Sequence, residues 1–399
     1  MLQGKTVLLG VTGGIAAYKM PNVARMLKKM HCNVHVLMTQ NATNFITATT
    51  FETLTGNKCL IDTFDRNFEF SVEHVALAKQ ADLVFIAPAT ANVIGKIAGG
   101  IADDMLTTTV MACTCKVLVA PAMNHNMYHN SIVQENLEKL KRHGYEIIDP
   151  VCGMLANGDT GDGKLPSEDT LVEYILREIA FEKDMQGLKV LVTAGPTQEA
   201  IDPVRFISNH STGKMGYAIA KNAMLRGADV TLVTGKTSLE PPMFVKTIPV
   251  TSAKDMYQAV TERAKEQDII VKAAAVADYT PAYTADEKIK KSEGELSLTL
   301  QKTTDILAEL GKNKGNTVLC GFSMETEHML ENSRTKRKKK NLDMIAANNL
   351  KQQGAGFAGD TNVLTLITED WEKELALMSK DEAAKCLLDE LLKIKKNKK

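Results

Sequence analysis

The sequence lacks an apolar run long enough to cross a membrane, and its N-terminus passes directly into a strand-like segment without a signal-peptide layout. It also lacks an excess of either charge. Its 48 basic side chains balance 48 acidic ones, which excludes an overall electrostatic attraction to nucleic acid or an anionic membrane. The seven cysteines are scattered, without the paired spacings of a zinc site or a disulfide framework. We therefore expect a soluble, cytoplasmic protein whose small ligands are held by local groups.

What the sequence does contain is an alternation of short β-branched runs with segments of helical period, such as KTVLLGVT, NVHVLMT, ADLVFIAPAT and KVLVAPAM. This alternation predicts an α/β protein with mostly parallel sheets covered by helices on both faces. GLKVLVTAGPT, near residue 187, resembles GKTVLLGVTGG at the N-terminus, and 399 residues suffice for two cores. We predict two doubly wound domains, residues 1–185 and 186–399. Helices are predicted over residues 167–184 and 253–266, and from Lys380 into a solvated lysine tail.

Glycines and hydroxyl side chains follow the predicted strands of the first half, where open parallel sheets bind phosphate groups. Gly10, Gly13 and Gly14 do not match G-x-G-x-x-G, which argues against NAD. Uncharged hydroxyls beside glycines suit the phosphate and ring edge of FMN, although such threonines are also ordinary turn and helix-cap residues. The candidate positions are Gly13, Gly14, Thr39, Thr90 and the segment Thr107 to Thr109, interpreted as a turn.

The segment VAPAMNHNMYHN, residues 119–130, begins as a strand and continues without a carboxylate or a lysine. A polar but uncharged loop of this kind can donate amide hydrogen bonds to a ligand carboxylate without repelling it. His125 and His129 stand four residues apart and could form half of a metal site, but no carboxylate or cysteine companion stands near them in the sequence. We therefore predict no dedicated protein metal site.

In the second half, NHSTGKMG invites comparison with a P-loop, but the spacing fails. Ser208 stands where the first glycine is required, and Met215 follows the lysine where Ser or Thr is required. A different phosphate or nucleotide geometry stays open for this segment.

Together, these segments resemble one family over essentially the whole chain: the bifunctional bacterial enzymes of coenzyme A biosynthesis in which phosphopantothenate–cysteine ligase is fused to phosphopantothenoylcysteine decarboxylase. The resemblance is carried in the first half by PAMNHNMY, SVEHVALAK, APATAN and DDMLTTT. In the second half it is carried by VTAGPTQEAIDPVRFISNHSTGKMG, KAAAVADYTP, EKIKK and KRKKKNLDMIAAN. It implies a flavodoxin-like decarboxylase domain and a Rossmann-like ligase domain.

For the first half, the resemblance implies that a cysteinyl thiol is oxidised by FMN so that carbon dioxide can leave, and that the product is then reduced. His74 would be the catalytic histidine, Asn124 would bind the substrate carboxylate, and Met127 would pack nearby. An ordinary helix-capping role for His74 is the alternative. The FMN-contacting residues implied are Gly13, Gly14, Thr39, Ala89, Thr90, Thr107 and Thr108.

The chain departs from the family at one place, the flap LANGDTGDGKLP. Asn157 stands where the family commonly has a proton-donating cysteine, and an amide is no acid near neutral pH. Cys152 or an ordered water is then the candidate donor. We nevertheless expect an active enzyme, because residues 158–165 keep the family pattern.

For the second half, the resemblance implies that CTP and Mg²⁺ activate phosphopantothenate as an acyl-cytidylate. Arg205 and Asn209 match positions tied to that intermediate, and Lys288 would neutralise phosphate charge. The nucleotide-contacting residues implied are Ala273, Ala274, Ala275, Asp278, Lys288, Thr303, Thr304, Asp305, Ile306, Phe322, Lys336 and Lys340. A solvated helix face is the alternative for KRKKK.

Three other functions could share the flavin domain: a flavin-dependent decarboxylase of peptide cysteines, a prenyl-flavin transferase, and an FMN-binding regulator of a phosphatase partner. The enzymes would not need the second domain, and the regulator usually carries acidic extensions that this chain lacks. The resemblance also implies a homo-oligomer, a dodecamer assembled from trimers of the first domain and dimers of the second.

Overall fold

The computed structural model describes residues 1–63, 73–154, 158, 160–291, 296–325, 328–349 and 359–398. Within them the chain forms two compact units, Met1–Phe181 and Glu182–Lys399. No helix in these ranges is long and apolar enough to span a bilayer.

The first unit is built on a five-stranded parallel sheet in the order β2-β1-β3-β4-β5, with a separate β6–β7 hairpin. Its strands are β1 Thr6–Val11, β2 Asn33–Met38, β3 Leu83–Ala89, β4 Lys116–Pro121, β5 Glu146–Ile147, β6 Val151–Met154 and β7 Thr160–Lys164. Its helices are α1 Met20–Lys29, α2 Ala48–Thr55, α3 Glu73–Gln80, α4 Ala91–Gly99, α5 Met105–Ala112, α6 His125–Tyr128, α7 Ser131–Arg142 and α8 Glu168–Ile179, with short 3₁₀ turns at Ile15–Lys19 and Gln40–Asn44.

The second unit has an eight-stranded sheet in the order β12-β11-β8-β13-β16-β17-β19-β20, six strands parallel and the last two antiparallel. The strands of this unit, including three small two-stranded ladders, are β8 Lys189–Ala194, β9 Gln198–Ala200, β10 Phe206–Ser208, β11 Asp229–Thr234, β12 Lys246–Pro249, β13 Ile269–Lys272, β14 Tyr279–Pro281, β15 Leu300–Lys302, β16 Val318–Glu325, β17 Met344–Asn349, β18 Thr361–Asn362, β19 Leu364–Ile367, β20 Glu372–Glu374 and β21 Met378–Ser379. Its helices are α9 Lys214–Leu225, α10 Ala253–Thr261, α11 Ile306–Lys312, α12 Met329–Lys339 and α13 Lys380–Asn397, with a 3₁₀ turn at Ala264–Glu266.

The predicted α/β class with two doubly wound domains is confirmed. All seven residues of β3 are buried, as expected for a parallel strand covered on both faces. Two predicted helices are too long. Helix α8 ends at Ile179, five residues before the predicted Asp184, and α10 ends at Thr261 before the separate 3₁₀ turn. Helix α13 begins at Lys380, where Ser379 caps it with Glu382 in a capping box.

Candidate active sites

The first candidate site lies where the order of the first sheet reverses, between β1 and β3. An order of 2-1-3-4-5 places a ligand beyond the carboxyl ends of these strands, where FMN binds in flavodoxin-like folds. The Thr12 hydroxyl joins the two strand ends. It donates to the Pro88 carbonyl at 2.6 Å and accepts from the Thr90 amide at 3.1 Å. The loop Thr12–Gly14 and the start of α4 are therefore held beside each other.

Gly13 and Gly14 form the turn after β1, as predicted. A Cβ on Gly13 would lie 2.6 Å from the Asn41 Cβ, so only glycine lets this turn pack against the turn after β2. A Cβ on Gly14 would have no neighbour closer than 3.8 Å. The space at Gly14 faces Thr90 and Pro88 across the switch point, where a phosphate group would approach the backbone.

Thr39 follows β2 and is the hydroxyl that best fits a bound ligand. Its Oγ1 is buried and has no hydrogen-bond partner within the described part of the chain, although a buried hydroxyl normally has one. Ala89 ends β3 and is fully buried. The orphaned hydroxyl and the open glycine turn fit the polar edge of a flavin nucleotide.

The other predicted threonines are already bonded within the protein. Thr90 caps α4 through a 3.4 Å contact from the Val93 amide. Thr107 forms a capping box with Asp104, and the Thr108 hydroxyl donates to the Ala102 carbonyl at 3.3 Å. The prediction that Thr107 to Thr109 form a turn is wrong, because Asp104 starts helix α5 before them.

The segment 119–130 extends from β4 into the short helix α6. Asn124 is the N-cap of α6, and its side-chain oxygen accepts from the Asn126 amide at 2.9 Å, which leaves its NH₂ group able to donate. Met127 is 49% exposed. The Met123 amide donates to the Gly163 carbonyl at 3.0 Å, so strand β7 lies directly against this loop.

His74 lies in the first turn of α3 and is half-buried. Asn157 lies outside the described residues. Cys152, the alternative proton donor, is exposed in β6.

The expectation that no carboxylate stands beside the histidine pair is wrong. Asp162 of β7 lies beside them, with its Oδ2 3.1 Å from the His129 Nε2. The sequence separation of 33 residues concealed this contact, which depends on the packing of the β6–β7 hairpin against α6.

The second candidate site is a cavity of about 420 Å³ at the carboxyl ends of β13 and β16 in the second unit. Seven predicted residues line it: Asn209, Ala273, Ala274, Ala275, Asp278, Phe322 and Lys336. The Asn209 amide donates to the Ala275 carbonyl at 3.2 Å, which joins two predicted motifs. The N-terminus of α9 also borders the cavity, and helix N-termini attract phosphate groups.

The remaining predicted residues of this half lie outside the cavity lining. Thr303 donates to the Ala277 carbonyl at 2.6 Å, and Thr304 follows it. Asp305 caps α11, whose first residue is Ile306, and pairs with the Lys340 Nζ at 2.7 Å. These contacts place the segment 303–306 behind the Ala273–Asp278 loop.

Arg205 and Lys288 belong to a neighbouring loop pair. The Arg205 guanidinium bonds the buried Asp202 carboxylate and donates to the Ile289 carbonyl at 2.7 Å. Hydrogen bonds from Arg205 and from backbone amides hold the pKa of Asp202 well below its usual range despite burial. Arg205 therefore fixes the backbone beside the exposed Lys288.

Lys336 is one of three lysines that line the cavity, with Lys214 and Lys380. Burial and the nearby Lys340 lower the pKa of Lys336. An anion bound beside Lys336 would favour its charged form and raise that pKa.

Several lining residues were not predicted as site residues, and Lys380 and Asn362 are two of them. Lys380 was predicted only as the start of the last helix, and Asn362 belongs to the strand pair β18–β21. No local sequence pattern marks either residue as part of a site. Both residues lie at the cavity because of the way the last 40 residues of the chain fold back against it.

The fold and the two sites define a two-domain α/β flavoprotein. The Flavoprotein family model matches residues 1–180, and the model for the DNA/pantothenate metabolism flavoprotein C-terminal domain matches residues 185–394. The chain belongs to the family of coenzyme A biosynthesis bifunctional proteins CoaBC.

Curated relatives match along their whole length. The chain is 45% identical over 400 residues to the CoaBC protein of Bacillus subtilis, covering 99% of this chain and 98% of the relative. It is 42% identical over 395 residues to that of Escherichia coli K12, covering 98% and 97%. A crystal structure of a CoaBC C-terminal domain is 40% identical, with a TM-score of 0.47, and covers 54% of this chain and all of that one.

Proposed function

We propose that the chain catalyses two consecutive steps of coenzyme A biosynthesis: ligation of cysteine to 4'-phosphopantothenate in residues 186–399, then decarboxylation of the product to 4'-phosphopantetheine in residues 1–185. The observation that carries this proposal is the 420 Å³ cavity, because it brings together seven predicted residues from four separated segments of the chain. The family match over 98% or more of the chain supports it.

In the ligase half, the phosphopantothenate carboxylate attacks the α-phosphorus of CTP and pyrophosphate leaves. The cysteine amine then attacks the acyl carbon of the acyl-cytidylate, forming the amide and releasing CMP. Lys336 and the N-terminus of α9 line the cavity. There they would face the phosphates, and Lys288 would reach them from its exposed loop. Asn209 would orient the acyl group, and Asp278 would bind the ribose or base edge. Mg²⁺ bound with CTP would neutralise charge on the triphosphate, with few ligands from the protein.

In the decarboxylase half, Thr39 and the backbone of Gly13, Gly14 and Ala89 would hold FMN, with Thr90, Thr107 and Thr108 placing the surrounding helices. FMN would supply the thiol oxidation without which carbon dioxide cannot leave. The Asn124 amide would donate to the leaving carboxylate, with Met127 packed beside it. His74 would hold or move a proton at the cysteinyl group. Because Asn157 replaces the family's acid, Cys152 or water would donate the last proton.

The first test is one incubation of the purified full chain with phosphopantothenate, cysteine, CTP and Mg²⁺, following pyrophosphate and the thiol products by mass. Phosphopantetheine is the expected product. Pyrophosphate with accumulated phosphopantothenoylcysteine would refute the decarboxylase assignment, and accumulation of the enethiol would refute a complete reduction step with Asn157 in place. Absence of pyrophosphate would refute the ligase assignment.

Two substitutions serve as controls for each other. Asn124→Ala should abolish carbon dioxide release while pyrophosphate release stays unchanged. Asn209→Ala should abolish amide formation while decarboxylation of supplied phosphopantothenoylcysteine stays unchanged. Loss of both activities in either variant would contradict the division of labour between the halves.

We also propose that the enzyme is a homo-oligomer of trimeric decarboxylase and dimeric ligase domains. Mass photometry of the full chain tests this directly, with twelve copies as the expected assembly.

A further inference from the structure

A cluster of three metal-ligand side chains lies outside the groups assigned above. One ring nitrogen of His125, one of His129 and one carboxylate oxygen of Asp162 all lie within 4.8 Å of one another. The two imidazole centroids are 4.4 Å apart, and the His129 Nε2 is 3.1 Å from the Asp162 Oδ2. Two imidazoles and one carboxylate are a common protein ligand set for Zn²⁺.

An independent observation concerns the first of these histidines. The Nδ1 of His125 is buried and has no hydrogen-bond partner among the residues that the structure describes. The ring lies directly against β7, where a Cβ on Gly161 would be 2.8 Å from that nitrogen. Buried polar nitrogens normally have a hydrogen-bond partner or bind a ligand, so this one is available to a ligand. The His125 ring also packs against the strand that carries Asp162.

We propose that His125, His129 and Asp162 bind a divalent transition-metal ion of the Zn²⁺ class. Two nitrogen donors favour Zn²⁺, Co²⁺ or Ni²⁺ over Mg²⁺ and Ca²⁺, which prefer oxygen ligands. Three protein ligands leave a fourth coordination position for water. His125 and His129 are four residues apart, so their imidazoles lie on the same side of the short helix α6. Asp162 of strand β7 supplies the oxygen ligand.

The metal would join α6 to the β6–β7 hairpin. The loop before α6 is already joined to the hairpin by the bond of 3.0 Å from the Met123 amide to the Gly163 carbonyl, and Asn124 is the N-cap of α6. A metal bridge would fix the hairpin against the loop that carries Asn124. If the first half is the decarboxylase, as proposed above, the metal bridge predicts that Zn²⁺ slows decarboxylation. Pyrophosphate release by the ligase half should stay unchanged.

The binding test uses the full-length protein without substrates, so its result does not depend on the proposed function. Calorimetric titration with ZnCl₂ should give one site per chain, and Co²⁺ should develop the visible absorption of a low-coordinate site. Even outer-sphere partners of a metal contribute about 10- to 100-fold to affinity. Loss of a direct ligand in His129→Gln or Asp162→Asn should therefore weaken Zn²⁺ binding at least about tenfold.

His143→Gln is the matched control, since His143 is an exposed histidine at the end of α7, outside the cluster. It should bind Zn²⁺ as the parent does. Equal affinity of the parent and both cluster variants, or no binding by the parent, would overturn the proposed site. Because His129 and Asp162 are each more than two-fifths exposed, both variants should keep the parent's circular dichroism spectrum.

The activity test separates the two claims. Zn²⁺ that binds the cluster but slows decarboxylation equally in the parent and Asp162→Asn would overturn the bridge between α6 and the hairpin. Inhibition of the parent alone supports it. If neither protein decarboxylates its substrate, the proposed function fails while the calorimetric result still decides the metal site.

Discussion

Gly13 lies so close to Asn41 that a Cβ added to it would be 2.6 Å from the Asn41 Cβ and 3.1 Å from its backbone carbon. The turns after β1 and β2 can therefore meet only through glycine at this position. We predict that Gly13→Ala separates the two turns and lowers the flavin content of the purified protein to below about a tenth of the parent's, since overpacking of this kind costs about 1–3 kcal/mol. Visible absorbance per chain measures this loss.

Gly95→Ala is the control for adding a methyl group. Gly95 lies inside α4, where a Cβ would be 3.7 Å from the nearest side-chain atom, an ordinary contact. This variant should keep the parent's flavin content. Full flavin content in Gly13→Ala would contradict the role assigned to the turn.

The Thr39 hydroxyl has no hydrogen-bond partner among the described residues. We therefore predict that its removal has opposite effects on the flavin-free and the flavin-bound protein. In Thr39→Val, the flavin-free protein should be as stable as the parent or more stable, because an unsatisfied buried hydroxyl costs about 1–3 kcal/mol. Flavin affinity should fall about tenfold, the value of one hydrogen bond. Thermal melts with and without FMN measure both effects.

Thr55→Val is the matched control in the same half. Thr55 is also buried, but its hydroxyl donates to the Phe51 carbonyl at 2.8 Å. Its removal should destabilise both states alike and leave flavin affinity unchanged. A Thr39→Val variant that behaves like Thr55→Val would show that Thr39 does not contact the flavin.

The sequence predicted strands β1 to β4 of the first sheet because buried parallel strands carry a clear local signal, whereas the two-residue strand β5 was not predicted. The run LVFIAPA of β3 is apolar from end to end and fully buried. Helix ends were predicted less well. Helix α8 stops at Ile179 although the polar stretch after it has no proline or glycine before Gly187, so nothing local marks its end.

The candidate sites were predictable where a motif is continuous and not where distant segments meet. Ala273, Ala274, Ala275 and Asp278 belong to one continuous motif and line one cavity. Asp162 reaches His129 through a hairpin 33 residues later, and Lys380 reaches the cavity from the start of the last helix. Such long-range contacts depend on how whole helices and strands pack together, and local sequence patterns do not show that.

From the lowered pKa of Lys336 we predict that the protein takes up a proton when it binds a nucleotide. Burial and Lys340 lower its pKa, so at alkaline pH part of the protein carries a neutral Lys336. A triphosphate in the cavity favours the charged form and raises that pKa, so binding draws a proton from the buffer. Calorimetric titration with CTP at about pH 9, in two buffers of different ionisation enthalpy, measures the uptake.

Lys338→Met is the control for this prediction, because Lys338 is exposed on the same helix and does not line the cavity. Proton uptake should persist in Lys338→Met and vanish in Lys336→Met, whose CTP affinity should also fall. Uptake that is unchanged in Lys336→Met would assign the proton to another group.

Lys272 is a buried lysine at the end of β13, 5% exposed, whose Nζ contacts the Met256 sulfur at 3.6 Å. Burial lowers its pKa to about 7, with Lys340 adding to the effect and Asp305 opposing it. Holding this ammonium group in the core costs free energy whenever it is charged. We predict that Lys272→Met stabilises the second unit near neutral pH, by on the order of 2–4 kcal/mol, since one pKa unit is worth about 1.4 kcal/mol.

The pH dependence distinguishes this cause from better packing. An unfolded lysine keeps its proton up to about pH 10.4, so between about pH 7 and pH 10 the unfolded parent binds more protons than the folded one. The free energy of unfolding of the parent therefore rises with pH across this window relative to Lys272→Met. The advantage of the variant should be largest below about pH 7 and nearly gone at about pH 10. Urea midpoints at both ends of the window measure it, with Lys302→Met on the exposed strand β15 as the control. A stabilisation that stays the same at every pH would mean that the pKa of Lys272 is the same in the folded and unfolded states and that the methionine acts through packing alone.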